Sequence, residues 1–172
     1  MLNGVPVTLP EMLACREIRY RLQQKYLAEY QTTLVSFCLN IPGPIKTSPE
    51  LRKVFDCGLA AVCSSLQEGG FKILARQECH ERTGDEFLLA VNGSAEEIKR
   101  LMTDIEEDHP LGRLFDIDVL TAAGQKLSRP LPRRCLICQE QAQVCASRRL
   151  HSVAAMTAKI ENILLEYFQK QE

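Results

Sequence analysis

Two aspartates in the second half of the chain have the spacing of a metal-binding pair. Asp116 and Asp118 lie in residues 114–120, where apolar and polar side chains alternate as in a strand. Successive side chains of a strand point to opposite faces, so both carboxylates emerge on one face. Such a pair repels itself unless a cation binds there, and Mg²⁺ is commonly held by carboxylates together with substrate phosphates. The spacing therefore predicts a Mg²⁺ site, with two solvated strand residues as the alternative.

Basic residues near this pair are typical of a polyphosphate site. Arg113 directly precedes the strand, and a loop that begins at Asn40 has Gly43 between two prolines and ends at Lys46. Guanidinium and ammonium groups bind phosphate oxygens, and a metal ion offsets the charge that develops on a phosphate leaving group. Phosphoryl transfer depends on positioning and charge neutralisation, so the chemistry requires no covalent nucleophile from the protein.

A second group of residues has the donor types of a zinc site. Three thiols and an imidazole come from Cys135, Cys138, Cys145 and His151, and the first two have the Cys-x-x-Cys spacing of a zinc knuckle. Four protein ligands leave no open position for a substrate, so zinc here would be structural. An exposed loop with free cysteines is the alternative interpretation.

Composition predicts one globular domain over residues 1–172. The chain is 45% hydrophobic and 25% charged, which is ordinary for a compact domain of this length. We expect an N-terminal helix at 9–30, an α+β core at 32–122, and a Cys-rich loop with a final helix at 125–170. Cys15, Cys38, Cys57 and Cys63 fall within apolar patterns, where cysteine behaves as a small hydrophobe, so we predict reduced thiols.

Charge and hydropathy exclude two classes of partner. The net charge of −1 argues against a general nucleic-acid binder, which usually has a strong basic excess. No stretch approaches the roughly 18 apolar residues of a membrane span, and the first ten residues lack the pattern of a secretory signal. We therefore expect a cytoplasmic protein without membrane association.

Capping signals and hydrophobic periodicity predict the order of the elements. A capping box at Thr8 begins a helix that runs to Tyr30, and Ser48 and Ser94 precede two further helices. Strands are expected at 33–39 and 114–120, and a hairpin joins 71–75 to 87–91 through a turn at 82–86. The resulting order is a helix followed by βαββαβ, the pattern of a ferredoxin-like α+β sandwich. In that sheet the first and fourth strands are neighbours, so the 40–46 loop should meet residues 113–118.

Basic residues form two further surfaces whose role the sequence leaves open. Arg16, Arg19 and Gln23 share one face of the first helix, which is either solvated or in contact with phosphate. Residues 125–150 contain six basic residues against one acid, a local charge of +5, namely Lys126, Arg129, Arg133, Arg134, Arg148 and Arg149 against Glu140. This segment is either a solvated loop or a site for an acidic protein or a polyphosphate.

Several motifs together resemble one enzyme family. They are Asn40-Ile-Pro-Gly-Pro-Ile-Lys46, Arg52-Lys-Val-Phe-Asp56, His109-Pro-Leu-Gly-Arg-Leu-Phe-Asp-Ile-Asp-Val119, and Arg134-Cys-Leu-Ile-Cys138 with Cys145 and His151-Ser152. This combination resembles the apo-citrate lyase phosphoribosyl-dephospho-CoA transferases, the holo-acyl-carrier-protein synthases of citrate lyase. The resemblance extends over nearly the whole chain, from the first helix to the last.

The resemblance implies a nucleotidyltransferase. Its reaction would move phosphoribosyl-dephospho-CoA from the precursor 2'-(5''-triphosphoribosyl)-3'-dephospho-CoA to a serine of the apo-acyl carrier (gamma) subunit of citrate lyase, with release of pyrophosphate. The implied site residues are Asp116 and Asp118 for Mg²⁺, Arg113 beside them, and Asn40, Gly43, Lys46, Arg16 and Arg19 for the substrate. The carrier protein of malonate decarboxylase is an alternative acceptor. The sequence leaves open which group accepts the serine proton: one of the aspartates could do so, and His109 lies close in sequence but is more typical of a helix end.

Three competing interpretations are weaker. Arg82-Thr-Gly-Asp-Glu-Phe87 resembles the hairpin signature of diguanylate cyclases, but that family has its metal-binding aspartates upstream of the hairpin, so we interpret Asp85 and Glu86 as a solvated hairpin tip. Polymerase-β-type nucleotidyltransferases share the Asp-x-Asp pattern, but they expect a Gly-Ser turn where this chain has residues 104–110. The third interpretation is a non-catalytic, zinc-stabilised docking module.

Overall fold

The computed structural model describes residues 2–170 and contains five α-helices and four strands within them. In chain order these are α1 (Leu9–Tyr30), β1 (Thr33–Leu39), α2 (Pro49–Glu68), β2 (Lys72–Glu81), β3 (Gly84–Asn92), α3 (Ala95–Asp108), a 3₁₀ helix (Gly112–Leu114), β4 (Phe115–Leu120), α4 (Ala142–Arg148) and α5 (Val153–Gln169). Within residues 2–170, no helix combines the length and apolar character needed to cross a membrane.

The helix starts follow the side chains that cap them. Thr8 and Glu11 form the predicted capping box of α1, and the hydroxyl of Ser48 accepts a hydrogen bond from the N–H of Leu51 at the start of α2. Ser94 caps α3 in the same way through the N–H of Glu97. These caps satisfy N–H groups that the first helical turn leaves without a partner.

The four strands form one antiparallel sheet in the order β2-β3-β1-β4. β1 and β4 are therefore neighbours, with Cys38 opposite Asp116 and Ser36 opposite Asp118. The N–H of Asn40 donates to the carbonyl of Leu114 at 2.8 Å, which joins the end of β1 to the start of β4. The predicted meeting of the 40–46 loop with residues 113–118 is confirmed.

The main core lies on one face of the sheet, under α2, α3 and α5. Phe115, Ile117 and Val119 of β4 point into it beside Val35 and Phe37 of β1. Aromatic packing is dense there, and the stacked rings of Phe37 and Phe55 have centroids 5.1 Å apart. The alternation predicted for β4 is confirmed, since Phe115, Ile117 and Val119 are buried on this face and both aspartates emerge on the other.

Only the second half of α1 packs against the opposite face of the sheet through buried apolar side chains. Tyr26 and Leu27 lie against a small apolar cluster formed by Leu34, Leu88, Ala90 and Leu120. The first half of α1 is mainly polar, and its Leu13 is 53% exposed instead of buried as the sequence pattern indicated. A helix end without an apolar face cannot close tightly on a sheet, and a cavity remains between the two.

Two local predictions were wrong in detail. The β2–β3 connection is a tight turn at residues 82–83, not a longer loop, because β2 continues to Glu81 and Gly84 has a φ of +127° that favours glycine. The polar residues 76–81 had concealed the strand, since β2 is an edge strand with exposed side chains. The Cys-rich segment also contains the short helix α4, which the sequence pattern did not indicate. The structure shows no disulfide among the eight cysteines, all of which lie within residues 2–170.

Candidate active site

Three adjacent strands align polar side chains under the open half of α1. Glu86 of β3 and Asp116 of β4 both pair with Cys38 of β1, one on each side. The three side chains therefore form a row across the sheet on the face that α1 covers. Burial raises the pKa of the Cys38 thiol to about 12, with smaller contributions from Asp116 and Glu86, so this cysteine remains protonated and unreactive.

The space between α1 and this row is a cavity of about 130 Å³, which we call the α1 cavity. Three basic residues line it, Arg16 and Arg19 from α1 and Lys46 from the 40–46 loop, together with Asn40 and Asp116. The structure thus brings together five of the predicted site residues. Burial lowers the pKa of Lys46, and the positive charge of Arg16 lowers it further. Asp85 and Glu86 also line this cavity, but each already pairs with an arginine.

The polar face of α1 contacts the sheet more closely than a solvated face would. The Arg19 guanidinium pairs with the Glu86 carboxylate, and the Cys15 thiol donates to the same carboxylate at 3.0 Å. One turn further on, the Gln23 amide donates to the Ser36 hydroxyl at 3.2 Å. Arg19 and Gln23 are therefore contact residues, while the side chain of Arg16 stays exposed at the cavity mouth.

The interpretation of Asp85 and Glu86 as a solvated hairpin tip was wrong. Asp85 is only 4% exposed, and the Arg52 guanidinium donates to both of its oxygens, at 2.8 and 2.6 Å. His80 Nδ1 lies 3.0 Å from the same carboxylate. The cations that neutralise these carboxylates come from distant elements, since Arg52 of α2 pairs with Asp85 and Arg19 of α1 pairs with Glu86. Asp85 therefore anchors the hairpin to α2, and Glu86 faces α1. No local sequence pattern indicates the pairing of Arg52 with Asp85, because the two residues are far apart in the chain.

Asp118 lies one pleat away from Asp116 and already has a cation beside it. The Lys126 ammonium is 2.6 Å from the Asp118 carboxylate, although the lysine side chain is largely exposed. Both aspartates line a second cavity of about 590 Å³ along the β4 edge, which we call the edge cavity. Asp116 is the residue of the pair that faces both this cavity and the α1 cavity.

Buried charges hold the segment that follows β4 against the sheet edge. Glu106 of α3 is 3% exposed and accepts a hydrogen bond from the Ile117 N–H at 2.8 Å. Its carboxylate also pairs with Arg133 at 2.6 Å and with Arg129 at 3.3 Å. The Lys99 ammonium donates to the Ile117 carbonyl at 3.1 Å. The outward backbone groups of β4 are thereby satisfied without another strand.

The structure places Arg113 and Gly43 apart from the α1 cavity. Arg113 lies on the 3₁₀ helix, its guanidinium donates to the Arg134 carbonyl, and it lines a third cavity of about 650 Å³. Gly43 has a φ of +81°, and an added Cβ would come within 2.9 Å of a Val153 methyl group. Glycine is therefore required there both by the backbone and by packing against α5.

His109 is a helix-end residue, as its sequence position indicates. It caps the C-terminus of α3, and its Nδ1 accepts a hydrogen bond from the Leu111 N–H at 3.0 Å. The imidazole packs against Phe115, with ring centroids 5.0 Å apart, on the core side of the sheet. Burial lowers the pKa of His109, so the ring is neutral near pH 7 and lies away from the aspartate pair.

The predicted zinc ligands come together near the C-terminus. The sulfur atoms of Cys135, Cys138 and Cys145 and a ring nitrogen of His151 all lie within 4.8 Å of one another. Burial raises the pKa of Cys135, but N–H groups of Cys138 and Ile137 directed at its sulfur bring the pKa down to about 7. This Cys₃His cluster offers four ligands at a spacing that could hold a metal ion such as zinc.

Comparison with known proteins identifies the same family. The family model described as apo-citrate lyase phosphoribosyl-dephospho-CoA transferase matches residues 7–167. The probable transferase of that name from Vibrio cholerae serotype O1 strain M66-2 is 40% identical over 166 residues, which cover 94% of this chain and 93% of that protein. The enzyme of that name from Citrobacter koseri is 37% identical over 162 residues, covering 92% of this chain and 88% of that protein. The chain belongs to the apo-citrate lyase phosphoribosyl-dephospho-CoA transferase family.

Proposed function

We propose that this chain transfers phosphoribosyl-dephospho-CoA from 2'-(5''-triphosphoribosyl)-3'-dephospho-CoA to a serine of the apo-acyl carrier subunit of citrate lyase. One structural observation supports the site most directly: Asp116 lines the α1 cavity together with Arg16, Arg19, Lys46 and Asn40. A carboxylate beside clustered cations suits a substrate that brings both phosphate oxygens and a divalent cation.

The reaction needs little more than placement and charge neutralisation. The serine oxygen attacks the phosphorus nearest the ribose, the bond from that phosphorus to the next bridging oxygen breaks, and pyrophosphate leaves with the bonding electrons. Arg16 and Lys46 would hold the oxygens of the triphosphate, and Arg19 would add its charge from the wall of the cavity, where it pairs with Glu86. Asp116, which has no ion-pair partner among residues 2–170, is the group that we assign to accept the serine proton.

The donor set of the aspartate pair fits Mg²⁺. Asp116 and Asp118 offer hard oxygen ligands on one face of β4, and substrate phosphates would complete the shell. When bound, Mg²⁺ would supply positive charge for the leaving pyrophosphate. The fit requires Lys126 to release Asp118, and its exposed side chain is free to swing into solvent once the metal neutralises that carboxylate.

The transfer itself can be followed by intact mass. Purified protein, the triphosphoribosyl precursor and Mg²⁺ are incubated with apo-carrier subunit of citrate lyase, and in parallel with the malonate decarboxylase carrier. We expect the citrate lyase carrier to gain the mass of one phosphoribosyl-dephospho-CoA group, and a carrier in which alanine replaces the acceptor serine to gain none. A mass increase confined to the malonate decarboxylase carrier would reassign the acceptor, and no increase on either would reject the proposed reaction.

We also propose that the Cys₃His cluster binds structural zinc. Three sulfur ligands and one imidazole suit Zn²⁺, and the Ile137 N–H donates to the Cys135 sulfur at 3.4 Å, as amides do around zinc-bound thiolates. Purified protein should contain about one zinc per chain, and Cys138→Ser should lose the metal and lower the melting temperature. Cys57→Ser, outside the cluster, is the control. A metal-free wild-type protein with an unchanged melting temperature would contradict this assignment.

The strand order supports the finer description of the fold. We propose a ferredoxin-like sandwich to which α1 adds a cover on the second face of the sheet and the Cys-rich segment adds a C-terminal extension. The order β2-β3-β1-β4, with α2 and α3 in the two crossovers, agrees with that topology.

A further inference from the structure

The proposed donor substrate is too large for the α1 cavity alone. It has a triphosphate at one end and, beyond two ribose rings and adenine, a diphosphate that continues into the pantetheine arm. The α1 cavity of about 130 Å³ suits phosphate groups, whereas sites for whole cofactors are usually several hundred Å³. A second site must therefore hold the dephospho-CoA portion if the donor binds as proposed.

The 650 Å³ cavity next to the Cys₃His cluster, which we call the module cavity, has the required size and charge. Four arginines line it, namely Arg113, Arg133, Arg134 and Arg149, and its described lining residues include no aspartate or glutamate. Burial lowers the pKa of Arg113, and the charge of Arg133 lowers it further. A pocket where guanidinium groups repel one another is stabilised by a bound polyanion, and arginine matches phosphate oxygens with paired N–H groups.

The other side of the module cavity is apolar. It is lined by Pro42 of the 40–46 loop, Leu136 of the Cys-rich segment, and Val153 and Met156 of α5. A pantetheine arm has a gem-dimethyl group and methylene chains, so it needs contact with apolar side chains as well as cations. Methionine adapts its shape to such irregular ligands. A simple nucleoside triphosphate would leave this surface without contact.

The two cavities meet at Asn40, which lines both of them. The Asn40 backbone is fixed to the Leu114 carbonyl, between Asp116 on β4 and Arg113 on the 3₁₀ helix. A donor with its triphosphate beside Asp116 can therefore extend past Asn40 into the module cavity. The separation of Arg113 from the α1 cavity, which the sequence did not anticipate, fits a role at this second subsite.

We propose, resting on the proposed transferase function, that the module cavity binds the diphosphate–pantetheine portion of the donor, so that the Cys₃His cluster shapes a substrate subsite. Arg134 and Arg149 would contact the diphosphate, and Leu136, Val153 and Met156 the pantetheine arm. The subsite would distinguish a CoA-derived donor from an ordinary nucleoside triphosphate.

Binding of two probes tests this subsite without any transfer. Affinities for 3'-dephospho-CoA and for inorganic tripolyphosphate are measured by calorimetry on the wild type, Arg134→Gln, Arg149→Gln and Arg16→Gln. Arg148→Gln is the matched control, because Arg148 is an exposed arginine at the end of α4, next to Arg149, that does not line the module cavity. Circular dichroism and zinc content establish that each variant is folded.

We expect Arg134→Gln and Arg149→Gln each to weaken dephospho-CoA binding about tenfold and to leave tripolyphosphate binding within about twofold, since each variant would lose a charge-assisted hydrogen bond to the diphosphate. Arg16→Gln should show the reverse pattern, and Arg148→Gln should change neither affinity. The subsite is rejected if wild-type protein does not bind dephospho-CoA, or if neither cavity variant weakens it. Loss of carrier affinity in these variants with unchanged dephospho-CoA binding would also reject it in favour of a protein-docking role.

Failure of the subsite and failure of the transferase function give different results. If the carrier gains mass while the cavity variants bind dephospho-CoA normally, the function stands and the subsite is wrong. If the variants lose dephospho-CoA binding while no carrier gains mass, the module cavity does bind the cofactor and the proposed reaction is wrong.

Discussion

Asp116 and Asp118 have the same residue type on the same strand face but different surroundings. Asp116 faces the α1 cavity and has no ion-pair partner within residues 2–170, whereas Asp118 pairs with Lys126 at 2.6 Å. The pair is therefore half neutralised before any metal binds. A lysine that must leave when Mg²⁺ arrives competes with the metal for the same carboxylate.

Removal of this lysine should strengthen the apparent affinity for Mg²⁺. In Lys126→Met the half-saturating Mg²⁺ concentration for transfer should fall about two- to fivefold, because an exposed ion pair contributes up to roughly 1 kcal/mol. Lys159→Met, an exposed lysine on α5, is the control. A Mg²⁺ titration of the transfer rate gives the comparison, and an unchanged or higher half-saturation for Lys126→Met would show that Lys126 does not compete with the metal.

Single residues were predictable where strand alternation or local spacing determines their direction. Alternation placed Asp116 and Asp118 on one face, and the register of β1 with β4 agrees. The location of Arg113 was not predictable, because a three-residue 3₁₀ helix turns it away from the strand direction. The burial of Asp85 was also missed, since its partner Arg52 is on another element and no local pattern indicates such a contact.

The contacts of Glu106 connect three elements at the edge of the sheet. One buried carboxylate accepts a hydrogen bond from β4 and pairs with Arg133 and Arg129 of the following segment. Both arginine side chains are only 16% exposed. Without this carboxylate their charges would lack compensation at a site with little water.

Replacement of Glu106 should therefore be costly for stability. In Glu106→Gln the free energy of unfolding should fall by on the order of 3 kcal/mol, because breaking a buried ion pair leaves uncompensated charge behind. Glu107→Gln, whose side chain is 54% exposed and which pairs with Arg129, should cost less than about 1 kcal/mol. Urea denaturation measures both changes, and equal effects from the two substitutions would contradict the structural role of Glu106.

The elements themselves were largely predictable, and the exceptions share a cause. The capping residues Thr8, Ser48 and Ser94 agree with the observed starts of α1, α2 and α3, and the apolar periodicity agrees with the buried faces of α2 and α3. The second half of β2 and the whole of α4 were missed. Both are short or exposed elements whose side chains show no apolar pattern, because contacts with β3 and with the cysteine cluster hold them in place.

At the scale of the whole molecule, the basic segment divides into three parts. Ion pairs within the chain involve Lys126, Arg129 and Arg133. The module cavity is lined by Arg134 and Arg149, and Arg148 is exposed outside it. The local charge of +5, which the sequence left open as a solvated loop or a site for an acidic protein or a polyphosphate, is therefore mostly taken up by ion pairs and by the module cavity. Arg148 is the residue of this segment best placed to steer the carrier.

Carrier association should depend on Arg148 and on salt. Arg148→Gln should raise the half-saturating carrier concentration about two- to threefold and reduce its increase with ionic strength, because exposed charges act mainly on association and are screened beyond roughly 8 Å at physiological salt. Half-saturation by the small donor should not change. Steady-state transfer at several salt concentrations provides the measurement, and an Arg148→Gln variant with the salt dependence of the wild type would place the docking surface elsewhere, the first helix being the next candidate.

Single-turnover transfer by Asp116→Asn and Asp118→Asn tests the location of the active site most directly. Asparagine keeps the shape of each side chain and removes its charge, so the fold should persist while the transfer rate falls on the order of 10²–10³-fold, the usual cost of losing such electrostatic stabilisation. Asp104→Asn, on the exposed face of α3, is the matched control and should react within about twofold of the wild type. We predict that the two β4 variants show normal circular dichroism and almost no mass increase on the carrier at times when the control reaction is complete. Wild-type transfer rates in both variants would show that the aspartate pair is an ordinary surface feature and that the chemistry occurs elsewhere on the molecule.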